Sequence, residues 1–475
     1  MIDVFIIGCG IVGTAVAYEL SRYNLKVTAV DRLNDIAGEA TRANSGLVHA
    51  GFDPEPGTLM AKLNVRGSKL TRDLCAKLDV HYMQNGAFVL GFEEGDKATI
   101  EKLYRQGIDN KVPGLEIISG DKAREMEPRL SNEVVCALNA PSAAIVSPWD
   151  FAVALAETAA KNGVEFALST NVTGINAIDG GYSVTTSQGE YKTKLVVNAA
   201  GLYADEVHSF LQEPDFKILP SRGQYFLLDK TAGSTVSRTI FQCPNKFGKG
   251  IMVSPTVYGN LLIGPSSENV KSRKETSTDQ QTLEHIWKTA AKSVPGLNIR
   301  DNIRNFAGVR AIADTNDFII REATKGFYDL AGIKSPGLTA APAIAEELVG
   351  QMEASGIKLS KKDFFHDKRE VTRVRYLDAL QRAEIISKNP AYGRIVCRCE
   401  NITEGEILDA FNSTIPAVTV DALKRRCHTG MGRCQGGFCS PRIIELISKR
   451  FGITPQKVLK DREGSFIITG MKGEV

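Results

Sequence analysis

The chain of 475 residues has no apolar run long enough to cross a bilayer. Its best candidate, Val4 to Tyr18, carries three glycines and falls short of the roughly 20 residues a membrane helix needs. The same stretch lacks the basic leader and small-residue cleavage site of a secretory signal. The sequence therefore reads as a soluble, cytoplasmic protein, or one held at a membrane by a partner. Nor does one sign of charge prevail. With 58 Lys and Arg against 55 Asp and Glu, the formal net charge is only +3, which gives no expectation of a nucleic-acid partner. Histidine is scarce, six in all, so few side chains can act as a base near neutral pH. Nine cysteines without an export signal predict thiols that serve metal or redox chemistry rather than disulfides.

What is present begins at the N-terminus. Val4-Phe5-Ile6-Ile7 reads as a strand buried on both faces. Gly8-Cys9-Gly10-Ile11-Val12-Gly13 follows, then a helix from Thr14 to Ser21, a second strand from Lys26 to Val30, and Asp31 at its end. A G-x-G-x-x-G between strand and helix, with an acid about 20 residues on, is a dinucleotide-binding fingerprint. Gly8 permits the tight turn, Gly10 lets the backbone approach a pyrophosphate, and Gly13 lets the helix lie on the strand. The helix start offers N–H groups to phosphate, and Asp31 would accept hydrogen bonds from a ribose. Further on, Leu59 to Leu78 reads as a long helix, and Ser147 to Lys161 as another with Asp150 as its cap. Lys361-Lys362 and Lys368-Arg369 read as solvated charge clusters.

Five of the cysteines, Cys397, Cys399, Cys427, Cys434 and Cys439, lie in the final eighty residues. Two close pairs, Cys397 with Cys399 and Cys434 with Cys439, make a four-thiolate set for a 2Fe–2S cluster or a closed zinc site. C-x-C is atypical of structural zinc, and Gly430, Gly432, Gly436 and Gly437 would let a loop bend round a cluster and aim N–H groups at its sulfurs. Cys427 is the obvious substitute ligand. From Arg394 onward 13 basic residues stand against 9 acidic ones, so the chain's positive excess sits here. Lys424, Arg425, Arg426 and Arg433 read either as solvated surface or as charges that offset a cluster or dock a partner.

The fingerprint, Thr41 to Gly46, Val196 to Gly201, Gly308-Val309-Arg310 and Gly332 to Thr339 recur in that order in the D-amino-acid-oxidase-like flavoproteins, which the first 350 residues resemble. The resemblance implies FAD and an α/β architecture with mixed α+β character. In it a Rossmann-like FAD-binding domain (1–80, 146–220 and 306–350) interleaves with a mixed-sheet substrate domain (81–145 and 221–305). A linker arm (351–392) would lead to a small helical domain (393–475). The family pattern lays Thr41, Asn44, Ser45 and Gly46 along the flavin and pyrophosphate, has Val172 hold the adenine, and brings Gly201 close. It places the N–H groups of Gly337, Leu338 and Thr339 at the flavin's pyrimidine end. It also uses an arginine at position 310 for the substrate's anionic group, which the planar guanidinium suits. Lys334 reads as a second anion contact, as a group that polarises the substrate oxygen, or as exposed. His49 is the best base candidate, or else a satisfied buried imidazole or a flavin attachment point.

Val396 to Glu400 with Gly430 to Cys439 resembles the bacterioferritin-associated-ferredoxin-like 2Fe–2S domain, except that four residues rather than two separate the second cysteine pair. Flavin plus cluster favours a dehydrogenase, since an oxidase using oxygen needs no cluster. The combination resembles the anaerobic-type glycerol-3-phosphate dehydrogenases, which implies a small anionic hydroxy substrate and a redox partner protein or subunit. Asn44 to Gly51 also resembles the L-2-hydroxyglutarate oxidases. A non-catalytic electron-transfer subunit is the reading from a different class. Placing the two cofactors in separate domains predicts that FAD remains when the cluster is lost.

Overall fold

A computed structural model describes residues 1–244 and 250–470. Residues 245–249, within the expected substrate domain, and 471–475, at the end of the expected cluster domain, lie outside the described residues.

In the strand Ile2–Ile7 every side chain but Asp3 is apolar, and Val4 to Ile7 are all more than nine-tenths buried. Each such residue contributes about 1.5–3 kcal/mol by leaving water. It occupies the middle of an eight-stranded sheet, parallel to Val27–Val30 on one side and to Gly189–Asn198 on the other. Beyond Gly189–Asn198 lie the antiparallel strands Gly181–Thr186 and Val172–Ile178, and, further along it, the parallel strand Phe327–Ala331. Helices Ile11–Leu20, Pro148–Lys161 and Gly337–Ala354 bury their apolar faces in one core with this sheet. Leu59–Lys77 crosses Gly337–Ala354 so closely that a methyl group on Gly67 would stand 2.2 Å from the Thr339 carbonyl oxygen. Among the described residues no helix is long and apolar enough to cross a membrane.

A second, nine-stranded sheet runs from Glu268–Asn269 through Ile218–Leu228, Leu261–Gly264, Met252–Pro255, Thr239–Gln242, Ala87–Gly91 and Cys136–Ala140 to Glu116–Ser119. Its remaining strand, Asn302–Ala313, pairs antiparallel with Ile218–Leu228 along its whole length, Ala313 opposite Ile218 and Asn302 opposite Leu228. Residues 306–313, expected in the FAD-binding body, therefore belong by hydrogen bonding to this sheet. Periodicity announces a strand but not which strand it will pair with. Leu47–Val48, Ala144–Val146 and Tyr82–Met83 form a small third sheet, with Ala144–Val146 in the middle.

The C-terminal unit has its own core, with Ile407, Phe411, Leu423, Ile443 and Ile447 almost wholly buried. Its helices are Glu404–Asn412, Val420–Cys427 and Ser440–Phe451, the first held by a capping box between Thr403 and Glu406.

Charge placement departs most from the sequence reading. Asp150 lies in the first turn of Pro148–Lys161 but does not cap it. Ser147 occupies the cap position, and the Asp150 carboxylate receives Arg369 at 3.0 Å. Arg369, expected in solvent, is only 10% exposed at its side chain and also pairs with Glu157 at 2.8 Å. Lys362, in the other expected solvated cluster, donates to the Asn162 carbonyl. Segment 361–373 thus lies as an ion-paired arm along the helix Pro148–Lys161. A buried ion pair and a solvated charge have the same local sequence, so only the fold separates them.

Candidate functional site

A cavity of about 1450 Å³ opens between the two large sheets. At one end, Gly8 turns with φ +106°, and a Cβ there would meet the Ala199 carbonyl oxygen at 2.5 Å. Gly13 is tighter, for its Cβ would stand 1.8 Å from the Gly8 carbonyl oxygen. Gly10 caps Ile11–Leu20 with no side chain, and Ile11 and Val12 at the helix start line the cavity with it. Asp31 receives the N–H of Cys9 at 2.8 Å and of Leu33 at 2.9 Å. Burial raises its pKa, and those two N–H bonds oppose the rise. The acid thus braces the glycine loop from behind while lining the cavity. Thr41 receives the Ile11 N–H at 3.0 Å. Asn44 donates to the Thr41 carbonyl at 2.8 Å and accepts from the Gly46 N–H at 2.8 Å.

Gly8, Gly10, Asp31, Thr41, Asn44, Ser45, Val172, Gly201, Gly337, Leu338, His49, Arg310 and Lys334 all line this one cavity. Three expected residues do not. Gly13 lies beneath the glycine loop. Gly46 packs against Val146, whose carbonyl oxygen a Cβ would meet at 2.5 Å. Thr339 is fully buried and receives the His49 N–H at 2.9 Å. Nor is the Gly337 N–H open to a ligand, since it donates to the Lys334 carbonyl at 2.6 Å. These donors and this glycine cradle, where a side chain would fill the space, fit an adenine dinucleotide.

The other end of the cavity is walled by the second sheet. Arg310, on Asn302–Ala313, donates from Nη2 to the Ser266 carbonyl at 2.9 Å and bonds the buried Tyr225 hydroxyl. Burial raises the Tyr225 pKa, against the pull of the guanidinium. Among the described residues neither Arg310 nor Lys334 pairs with a carboxylate. Sequence reading missed Gly223, where a Cβ would stand 2.2 Å from Arg310 Nη2, so the glycine makes room for the guanidinium. A glycine inside a strand pattern is the available signal. It also missed the apolar wall of Tyr225, Phe241 and Met252. The His49 ring stacks near Phe241, with centroids 6.4 Å apart, and its Nε2 stands 3.0 Å from Ser335 Oγ.

In the C-terminal unit the thiols stand in two cross-matched pairs, Cys397 with Cys439 and Cys399 with Cys434, each hydrogen-bonded. The Cys439 bond and the N–H groups of Gly430 and Glu400 hold the Cys397 pKa down to about 6. Phe438 and Gly436 donate N–H bonds to Cys434. Gly432 has no room for a side chain, since a Cβ would stand 2.3 Å from that of Cys399. Among the described residues no three His, Cys, Asp or Glu side chains converge as a single ion requires. Paired thiols ringed by N–H donors suit the sulfurs of a 2Fe–2S cluster instead. Cys427 is hydrogen-bonded within its own helix, its thiol 3.2 Å from the Leu423 carbonyl, with burial pushing its pKa up to about 12. Arg425 and Arg426 do not face solvent. Both are almost fully buried against Asp35 of the large body.

Residues 3–351 match the family of FAD dependent oxidoreductases, and residues 395–449 match the BFD-like [2Fe-2S] binding domain. A glycerol 3-phosphate dehydrogenase of Caloramator mitchellensis is 46% identical, with all of each chain aligned. An L-2-hydroxyglutarate dehydrogenase of Arabidopsis thaliana is 27% identical over 74% of this chain and 83% of its own. Among solved structures, an L-α-glycerophosphate oxidase of Mycoplasma pneumoniae with FAD bound superposes with a TM-score of 0.75. It is 35% identical, covering 78% of this chain and 99% of that one.

Proposed function

Since the chain belongs to the FAD dependent oxidoreductase family and carries a BFD-like [2Fe-2S] domain behind it, we propose that it oxidises glycerol 3-phosphate to dihydroxyacetone phosphate. The observation that carries the reading is Arg310, a guanidinium without a carboxylate partner among the described residues, in the wall of the cavity that the glycine loop opens into. Its fork pairs with phosphate through two N–H bonds, and Lys334 adds a second cation. Alignment with a glycerol 3-phosphate dehydrogenase runs through the cluster domain as well, whereas the 2-hydroxyglutarate relative is more distant.

When bound, FAD supplies a two-electron acceptor and the cluster a one-electron carrier. The chain's own residues do the rest. Arg310 anchors the anionic group and so fixes which carbinol hydrogen faces the ring. His49, held by Ser335 through Nε2, takes the hydroxyl proton. Tyr225, Phe241 and Met252 exclude water from the reacting carbon. In this reading Cys397, Cys399, Cys434 and Cys439 would hold the cluster, which would serve a redox partner in the cytoplasm or at a membrane.

Anaerobic bleaching of the flavin tests the reading. Glycerol 3-phosphate should bleach it rapidly. Rapid bleaching by 2-hydroxyglutarate alone would transfer the function to that alcohol, and bleaching by neither would leave an electron-transfer subunit.

A further inference from the structure

The loop from Asp31 to Asn44 has two faces. On one, Asp31, Gly38, Thr41 and Asn44 line the cavity. On the other, the loop is held by the C-terminal unit. Asp35, 2% exposed, receives Arg425 Nε at 2.7 Å and both terminal nitrogens of Arg426 at 2.8 and 3.0 Å. Asn34 donates to the Asp461 carbonyl at 2.7 Å. The Asp461 carboxylate takes Arg42 at 2.5 Å and Arg425 at 3.1 Å, and Arg462 stands 3.6 Å from Glu39. Arg42, Arg425, Arg426 and Asp461 do not themselves line the cavity.

We propose that Asp35, Arg42, Arg425, Arg426 and Asp461 are positioning residues for the dinucleotide, through which FAD and the cluster strengthen each other's binding. The C-terminal unit is small, and a small metal-binding unit draws much of its order from its metal. When its order loosens, Arg425 and Arg426 leave Asp35, and a carboxylate buried without a partner forces its segment to rearrange. Arg42 adjoins Thr41, whose hydroxyl receives the Ile11 N–H at the helix start, so the disturbance reaches the phosphate-binding end. By linkage the effect is reciprocal, and FAD holds the C-terminal unit in place equally. The expectation that FAD remains when the cluster is lost is thereby replaced. The proposal holds whichever alcohol is oxidised.

The test measures FAD affinity by flavin fluorescence and iron content by assay, with no turnover. Asp461→Asn, which removes the charge that Arg42 and Arg425 share, should weaken FAD binding by on the order of 10- to 100-fold, within the range of such couplings. Iron should remain near two per chain after anaerobic purification, and Asp461→Glu should restore affinity. A second measurement needs no variant: unmutated protein stripped of its cluster by a chelator should release FAD more readily than the same protein with its cluster intact. FAD affinity unchanged in Asp461→Asn and equal with and without the cluster would overturn the proposal. Should Asp461→Asn fail to fold, the comparison of stripped and loaded protein decides alone.

Discussion

His49 Nε2 stands 3.0 Å from Ser335 Oγ, although 286 positions separate them in the chain. The contact joins the end of the strand Leu47–Val48 to the start of Gly337–Ala354 and fixes the imidazole at the cavity wall. His49→Gln keeps the shape but not the basicity. It should slow anaerobic flavin reduction by glycerol 3-phosphate roughly 100- to 10 000-fold, the usual span of general-base catalysis. Ser335→Ala removes one orienting hydrogen bond and should cost only about 5-fold. Stopped-flow absorbance measures both, and an unchanged rate in His49→Gln would remove the histidine from the chemistry.

Arg310→Ala should lower kcat/KM for glycerol 3-phosphate roughly 30- to 1000-fold, as loss of a paired charge-assisted contact implies, while FAD stays bound. Gly223→Ala should act in the same direction, because its new methyl group would stand 2.2 Å from the guanidinium. Steady-state kinetics with an artificial acceptor reads both variants. Normal kinetics in Arg310→Ala would take the anion site elsewhere.

Serine at Cys397, Cys399, Cys434 or Cys439 should each remove most of the iron and acid-labile sulfide from anaerobically purified protein. Cys427→Ser should retain both, because that thiol turns to the Leu423 carbonyl. Iron lost from Cys427→Ser and kept in Cys434→Ser would exchange the two cysteines as ligands.

Gly13→Ala should yield protein without FAD, since its Cβ would lie 1.8 Å from the Gly8 carbonyl oxygen and force the helix off the loop. The flavin absorbance per chain after gel filtration reports this directly.

Asp35 is held down to about 2, because its two guanidinium partners outweigh burial, which acts to raise it. A carboxylate more acidic folded than unfolded contributes stability in full above its unfolded pKa and loses it as pH falls through the folded one. Here that window runs from about pH 4 down to about pH 2, and the contribution is on the order of 2 kcal/mol. Thermal unfolding of the unmutated protein should therefore drop across this window more steeply than that of Asp35→Asn. Parallel pH profiles for the two proteins would show that the ion pair adds no stability.

The sequence by itself determined the elements whose signal is local. Gly8 to Gly13 between a buried strand and a helix, with Asp31 beyond, is contained in thirty consecutive residues, because turn, helix start and acid are consecutive steps of one chain path. The paired cysteines are local in the same way. Tertiary structure alone decided what depends on pairing across the chain. That Asn302–Ala313 lies beside Ile218–Leu228, bringing Arg310 past Gly223, is a choice of strand partner, and alternation of side chains does not encode partners. That Arg425 meets Asp35 across 390 positions, and that Arg369 is buried rather than solvated, follows from which surfaces the fold brings together. A basic residue carries the same charge in either place, and only the carboxylate that arrives opposite it decides whether it binds water or holds two domains together.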